Sequence, residues 1–225
     1  MIDIVREIEA VQREVGNGRI AAGDGRAVRL RRTYDAPIDD VWDALTNPER
    51  IGRWFLPISG DYRLGGRYQF EGNASGEILE CARPSRLKVT WAYGEMLGPA
   101  DISELVVRLS PAGDQATVLE LEHTAIVPDD RWAEYGPGAV GVGWEQGLLG
   151  LALHLRGGSV GAPYAWQLSE EGRTYATRSS EGWGAANTAS GADPAAAARA
   201  VANTTAFYAP DAADAPPTTE GSQVS

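Results

Sequence analysis

Residues 31–55, RRTYDAPIDDVWDALTNPERIGRWF, decide the fold because they pass from a strand into two helices. Residues 27–34 alternate apolar and basic side chains, which is typical of a strand with one buried face. Pro37 suits the first turn of a helix, where its missing N–H costs nothing. Asn47 and Pro48 have the residue types of an N-cap and a first helical position. The stretch therefore predicts a strand, a helix and a second short helix.

The region 58–124 predicts about six antiparallel strands joined by tight turns. The clearest strand runs from Leu87 to Tyr93, where large apolar residues alternate with smaller or polar ones. A strand over 76–81 has no clear inward face. The residues predicted to face inward on the other strands are Tyr68, Phe70, Leu87, Val89, Trp91, Tyr93, Leu105, Val107, Leu109, Leu119, Leu121 and His123.

A long helix is predicted over residues 139–155, because Trp144, Leu148, Leu151 and Leu155 recur on one face. Three glycines lie inside it, and each costs about 1 kcal/mol relative to alanine. Close approach to the sheet, or room for a ligand, would compensate. A bent sheet with one apolar face needs a cover. The sequence therefore predicts an α+β fold, in which a curved antiparallel sheet wraps around this long helix.

The two ends of the chain predict additional helices. Residues 1–25 are interpreted as an amphipathic helix over 2–15 followed by glycine turns. The α+β domain spans 26–156, a helical extension spans 157–208, and 209–225 is predicted to be a disordered tail. Asp193 is the expected cap of the last helix. The terminal helices carry apolar and aromatic faces that must be buried on this domain or on a second copy, so we predict a homodimer.

Composition narrows the possible partners. The chain has 225 residues, 43% of them hydrophobic, and a net charge of −11. This acidity argues against nucleic acid and against anionic membrane surfaces as partners. The single cysteine, Cys81, excludes an intramolecular disulfide and is interpreted as a buried filler. The N-terminal residues do not resemble a signal peptide. We therefore expect a cytoplasmic protein.

Several motifs together resemble the heat-shock protein 90 ATPase activator homologue family of the SRPBCC (START-related) superfamily. They are Pro37, Val41, Trp42, Thr46, Asn47, Pro48, Glu49, Trp54, Asp61, Arg63, Gly65, Gly66, Leu87–Trp91, Leu119–Thr124 and Gly143–Trp144. The resemblance covers about residues 26–156. It implies a helix-grip fold around an apolar cavity, and bacterial members are similar to small-molecule binding proteins. The family takes its name from eukaryotic co-chaperones that have a further N-terminal domain. Segments 1–24 and 157–208 resemble an extended bacterial subgroup.

The predicted ligand-binding residues are mainly aromatic, since apolar walls with few polar groups suit a small hydrophobic or aromatic ligand. They are Trp54, Phe55, Tyr68, Phe70, Trp91, Tyr93, His123, Trp144 and Leu148. His123 shares a face with Leu119 and Leu121; it is the weak catalytic candidate, although a hydrogen-bonded core histidine is favoured. Trp42 is interpreted as core.

The remaining polar candidates are interpreted as structural. His154 is expected as a cation near the end of the long helix, and Glu145 is expected at the surface. Asp61 and Arg63 are interpreted as a surface pair at a turn, and the pairs Asp39–Asp40 and Glu120/Glu122 as solvated. One cysteine and two histidines do not supply a typical zinc set. No cofactor motif is present, so neither a metal nor a cofactor is predicted.

Three functions follow from this reading. The first is a non-enzymatic binder of a small apolar or aromatic molecule. The second is an enzyme of the cyclase or aromatase kind, with His123 as acid or base and Tyr68 or Tyr93 orienting a carbonyl. The third is a co-chaperone-like protein-interaction module that uses the terminal helices. The sequence favours the first, because no catalytic group stands out from its structural interpretation.

Overall fold

A computed structural model describes residues 2–93 and 103–210 of the chain. The strands are β1 (Val11–Ile20), β2 (Gly23–Tyr34), β3 (Ile58–Gly60), β4 (Arg67–Phe70), β5 (Ala74–Ala82), β6 (Arg86–Tyr93), β7 (Ser103–Pro111) and β8 (Thr117–Ala125). The helices are α1 (Ile4–Glu9), α2 (Ile38–Thr46), α3 (Pro48–Trp54), α4 (Asp129–Tyr135), α5 (Gly138–Leu155), α6 (Pro163–Leu168), α7 (Glu170–Ala189) and α8 (Pro194–Tyr208). Within these ranges no helix is both long and apolar enough to cross a membrane.

The strands form one antiparallel sheet in the order β1-β2-β8-β7-β6-β5-β4-β3. Its inner face packs with α5 and with α2 and α3, which connect β2 to β3. Asn47 caps α3, since its side chain accepts a hydrogen bond from the Glu49 N–H at 3.1 Å. The predicted α+β helix-grip fold is confirmed, and Trp42 lies in the core as expected.

The predicted N-terminal helix over 2–15 is wrong. The helix α1 ends at Glu9, and from Val11 the chain runs as β1, which pairs with β2 through a tight turn at Ala21–Ala22. The glycines that were interpreted as helix terminators instead permit close packing. A Cβ on Gly18 would lie 2.5 Å from the Thr124 hydroxyl oxygen. The first 25 residues therefore contribute an edge strand to the sheet of the main domain.

The C-terminal helices form a second layer over α5. α7 contacts β1, α1, α5 and α8, so α5 lies between the sheet and α7. Trp166, Tyr175 and Trp183 are buried within this chain, which removes part of the reason for predicting a dimer. Asp193 caps α8 as predicted, accepting from the Ala196 N–H at 2.8 Å. The predicted disordered tail, apart from its first two residues, lies outside the described residues.

Two of the glycines in α5 meet different surroundings. A Cβ on Gly150 would lie 2.5 Å from the carbonyl oxygen of Trp54, so this glycine lets α3 approach the helix closely. A Cβ on Gly147 would lie 3.9 Å from the Phe55 ring, an ordinary contact. The cost of helical glycine is therefore offset by close packing at Gly150, and not by packing at Gly147.

Alanine substitutions at these two positions should change stability in opposite directions. We expect Gly150→Ala to lower the free energy of unfolding by about 1–3 kcal/mol through overpacking. Gly147→Ala should raise it by up to about 1 kcal/mol, because it removes a flexible residue without a clash. Urea unfolding followed by tryptophan emission measures both. Equal effects of the two substitutions would contradict this account of the helix.

Candidate functional site

A cavity of about 220 Å³ lies between the inner face of the sheet and helices α3 and α5. Its walls are almost entirely apolar. Seven of the nine predicted ligand-binding residues line it: Trp54, Phe55, Tyr68, Phe70, Trp91, Trp144 and Leu148. Aliphatic residues that the sequence placed only in the core complete the walls, including Leu45, Leu87, Val89, Leu105, Val107, Leu119 and Leu121.

The cavity has an aromatic end centred on Trp91. Its ring centroid lies 4.8 Å from that of Trp144 and 5.5 Å from that of Phe70. Phe55 packs edge-on against Phe70, with the centroids 5.0 Å apart. Toward the start of β6 the wall becomes aliphatic, where Leu87 pairs with Val107 across the strands. The cavity thus offers ring faces at one end and branched aliphatic side chains at the other.

The cavity opens where its lining residues reach solvent. Tyr62 and Leu64 are 43% and 65% exposed. A β-bulge between Ile78 and Glu80 shifts the register of β5, so that both Ile78 and Cys81 line the cavity. This bulge explains why no alternation was visible in that strand. Cys81 is exposed at the opening, so its interpretation as a buried filler is wrong.

His123 is buried beside the aromatic end and lies behind the cavity wall. The Trp144 indole N–H donates to His123 Nδ1 at 2.9 Å, and His123 Nε2 lies 2.6 Å from Ser103 Oγ. The Ser103 hydroxyl donates to the Trp91 carbonyl at 2.7 Å. Because an indole N–H can only donate, Nδ1 must be the acceptor and Nε2 carries the proton.

This network keeps the imidazole neutral. Burial lowers the pKa of His123 to about 4, and protonation would place a second proton on Nδ1 against the Trp144 N–H. Both ring nitrogens are occupied, and the Trp144 ring separates them from the cavity. His123 is thus a hydrogen-bonded core histidine in this structure, although its partners are a tryptophan and a serine.

Tyr93 also lies away from the cavity, and it is 60% exposed. Because Tyr93 lies two residues after Trp91, the alternation of the strand places both on the same face, and Tyr93 was therefore predicted to line the cavity. The last β6–β7 residue pair within the described residues is Trp91–Ser103, and residues 94–102 lie outside them. Its ring contacts that of Trp91 edge-on, with the centroids 6.3 Å apart.

Glu145 was expected at the surface, but its side chain is fully buried. It accepts two hydrogen bonds from Arg13 of β1, from Nε at 2.6 Å and from Nη2 at 2.7 Å. Burial raises the pKa of Glu145, and the Arg13 guanidinium opposes that shift. The expectation was wrong because α7 covers the outer side of α5. The Arg13–Glu145 ion pair joins α5 to the edge strand β1.

A second buried ion group lies on the same side of α5. Arg32 and Arg156 both donate to the Glu7 carboxylate. Burial alone would raise the pKa of Glu7, but the hydrogen bonds and charges of the two arginines outweigh it and lower the pKa. This group was not predicted from the sequence. The isolated Glu7 within an otherwise apolar face of α1 was the available signal.

Two other polar predictions have clear outcomes. Asp61 and Arg63 form an exposed ion pair, as expected. His154 accepts a hydrogen bond from Arg50 Nε at 3.3 Å, and burial together with Arg50 and Arg53 lowers its pKa. It is therefore not the helix-end cation that was expected.

Comparisons with known proteins find solved structures with a similar fold. The chain is 38% identical to CalU16 from Micromonospora echinospora in its crystal structure, with a TM-score of 0.64, covering 79% of this chain and 98% of CalU16. The solution structure of CalU16 gives 39% identity and a TM-score of 0.66 over 81% and 97%. Protein MLL2253 from Mesorhizobium loti is 26% identical, with a TM-score of 0.50 over 59% and 97%.

A search of functionally curated proteins finds no match. The sequence profile described as "Activator of Hsp90 ATPase homolog 1-like protein" matches residues 35–156, which include α2, α3, β3–β8 and α5. All the described residues that line the cavity lie within this range. The chain therefore belongs to the Activator of Hsp90 ATPase homolog 1-like family.

Proposed function

We propose that this protein binds a small apolar or aromatic molecule in the cavity between its sheet and α5, without catalysing a reaction. Membership of the family supports ligand binding, or a related role, only in general. The observation that carries the proposal is the cavity itself, an apolar space with seven of the predicted residues in its walls. A buried apolar space of this kind favours ligands without charge.

The size of the cavity limits the ligand. Pockets for drug-sized molecules measure about 300–1,000 Å³, and an engineered apolar cavity of about 150 Å³ binds benzene. A volume of about 220 Å³ lies between these cases. It suits a molecule of one or two rings, or a longer ligand whose remainder extends past Tyr62 and Leu64 into solvent.

The catalytic alternative has less support. Both nitrogens of His123 are hydrogen-bonded behind Trp144, and the Tyr68 hydroxyl donates to the Thr90 carbonyl at 2.6 Å. Tyr93 does not reach the cavity. The three groups assigned to a cyclase mechanism are thus not presented together to a bound molecule.

Naphthalene tests the proposal, because it is a two-ring hydrocarbon without polar groups. We expect it to bind the folded protein with a Kd on the order of 10 μM and to quench the emission of the tryptophans in the cavity wall. Fluorescence titration measures the affinity. Gly147→Leu places a side chain in the cavity and should weaken binding by at least about tenfold.

Gly147→Ala serves as the matched control, because it removes the glycine but adds only one methyl group. Both variants should retain the cooperative unfolding of the wild type. Equal naphthalene affinity in wild type and Gly147→Leu would contradict binding in this cavity. Binding only to the thermally unfolded chain would contradict the proposal altogether.

Two further expectations stay as predictions. The cytoplasmic location is supported by a free cysteine and an acidic composition.

A homodimer through the terminal helices would now have to use apolar side chains that remain exposed, such as Phe207, which is 68% exposed. Light scattering on the full chain should give twice the chain mass of 24.0 kDa, and a monomer would contradict the dimer.

A further inference from the structure

One wall residue of the cavity carries a hydrogen-bond donor that is not used. Trp91 is 4% exposed and lines the cavity. Its indole nitrogen, Nε1, is shielded from solvent and has no hydrogen-bond partner among residues 2–93 and 103–210. Buried donors in native proteins are nearly always paired, and an unpaired one carries a cost that needs an explanation.

The neighbouring polar groups on this wall are already paired. The Trp144 indole donates to His123, and the Trp54 indole donates to the Ala44 carbonyl at 2.9 Å. The Tyr68 hydroxyl donates to the Thr90 carbonyl. Among the cavity-lining tryptophans in the described part of the chain, only Trp91 has an indole N–H without a hydrogen-bond partner.

Water is a poor partner for this donor. A buried water is stable when it makes two to four hydrogen bonds. Around Trp91 the ring neighbours that line the cavity are Phe55, Phe70, Trp144 and Tyr68. The first three present carbon faces, and the Tyr68 hydroxyl is already bonded to the Thr90 carbonyl. A ligand acceptor atom, in contrast, needs only one donor and brings its own apolar surface to these rings.

We infer that the ligand carries a neutral acceptor oxygen, such as a ketone or ether oxygen, and that a small shift of the Trp91 ring on binding lets its N–H donate to this oxygen at the aromatic end of the cavity. Trp91 is then the specificity-determining residue of the site. This inference rests on the proposed function and adds the chemical class of the ligand. A neutral oxygen fits because the one charged residue of the described lining, Arg63, is exposed and already paired with Asp61.

The position of Trp91 along β6 also orients the ligand. Trp91 lies four residues beyond Leu87, a distance of about 13 Å along the strand. Leu87 belongs to the aliphatic end, near the opening at Cys81, with which it pairs. The acceptor oxygen therefore enters first, and the apolar remainder of the ligand lies toward the opening.

The test uses indane and 1-indanone, which differ only in one carbonyl group. We expect both to bind the wild type, as measured by titration calorimetry. Trp91→Phe removes apolar ring surface that both compounds contact, and it should weaken 1-indanone by about three- to tenfold more than indane, the net value of one hydrogen bond. Trp144→Phe is the matched control, because the Trp144 N–H is already bonded to His123 and its loss should affect both compounds alike.

Infrared spectroscopy of 1-indanone bound to the wild type gives an independent reading if a variant fails to fold. The carbonyl stretch should lie at lower wavenumber than in cyclohexane, and this shift should vanish in Trp91→Phe. An unshifted carbonyl in the wild type, or equal losses for both compounds in Trp91→Phe, overturns the inference while leaving the binding function intact. Failure of indane itself to bind would instead contradict the proposed function.

Discussion

Glu145→Ala is expected to lower the free energy of unfolding by about 3–5 kcal/mol, because it leaves the buried Arg13 charge without its partner. The Arg13 side chain is only 11% exposed, and the two groups share two short hydrogen bonds. The loss should be seen in urea unfolding at neutral pH. It should be the largest effect of any single alanine substitution discussed above, because it breaks the link between β1, α5 and α7.

Two controls separate the buried pair from general effects of charge. Replacing both residues by methionine should recover most of the lost stability, since an apolar pair of similar volume avoids the unpaired charge. Glu181→Ala, on the outer face of α7, breaks an exposed pair with Arg178 and should cost less than about 1 kcal/mol. If Glu145→Ala costs no more than Glu181→Ala, the buried pair does not stabilise the fold.

The second large effect is the dependence of stability on pH. The folded pKa of His123 is about 4, whereas an unfolded histidine titrates near 6.5. Between these values the unfolded chain binds the proton and the folded chain does not, so stability is complete above pH 6.5 and falls as the pH falls toward 4. Between pH 7 and pH 5 this one residue should account for a loss of about 2 kcal/mol.

The variant His123→Asn isolates this contribution, because its amide oxygen can accept from Trp144 but does not titrate. His154 and the carboxylates remain in both proteins, so their contributions cancel in the comparison. We expect the variant to be less stable at pH 7 and to lose less stability on going to pH 5. Parallel pH profiles for the two proteins would show that His123 is not held neutral by the fold.

The aromatic part of the site could be predicted because strand alternation is local. Tyr68, Phe70 and Trp91 alternate with residues that face outward, and the sequence alone shows which face is apolar. Tyr93 alternates in phase with Trp91, but it is 60% exposed and does not line the cavity. How far along a strand the inner face is covered depends on the whole sheet and on the helices over it, and alternation within one strand does not reveal this.

The buried ion pairs could not be predicted, because they depend on a third layer. Glu145 lies on a helix that is apolar on nearly all sides, which is itself a sign of burial on both faces. The prediction of a surface position for Glu145 took into account only the helix face with Trp144 and Leu148. The partner, Arg13, was assigned to a helix because Ile4, Ile8, Val11 and Val15 have helical spacing, although residues 11–15 also alternate as a strand.

The central claim is that a small apolar molecule occupies the cavity between the sheet and α5. A crystal of the protein soaked with 1-bromonaphthalene tests it most directly, because bromine gives an anomalous signal that locates the ligand without ambiguity. We predict a bromine peak inside the cavity, with the rings packed against Trp91, Trp144 and Phe55. A saturating soak that leaves the cavity without ligand, or places bromine only on the outer surface, would contradict the account.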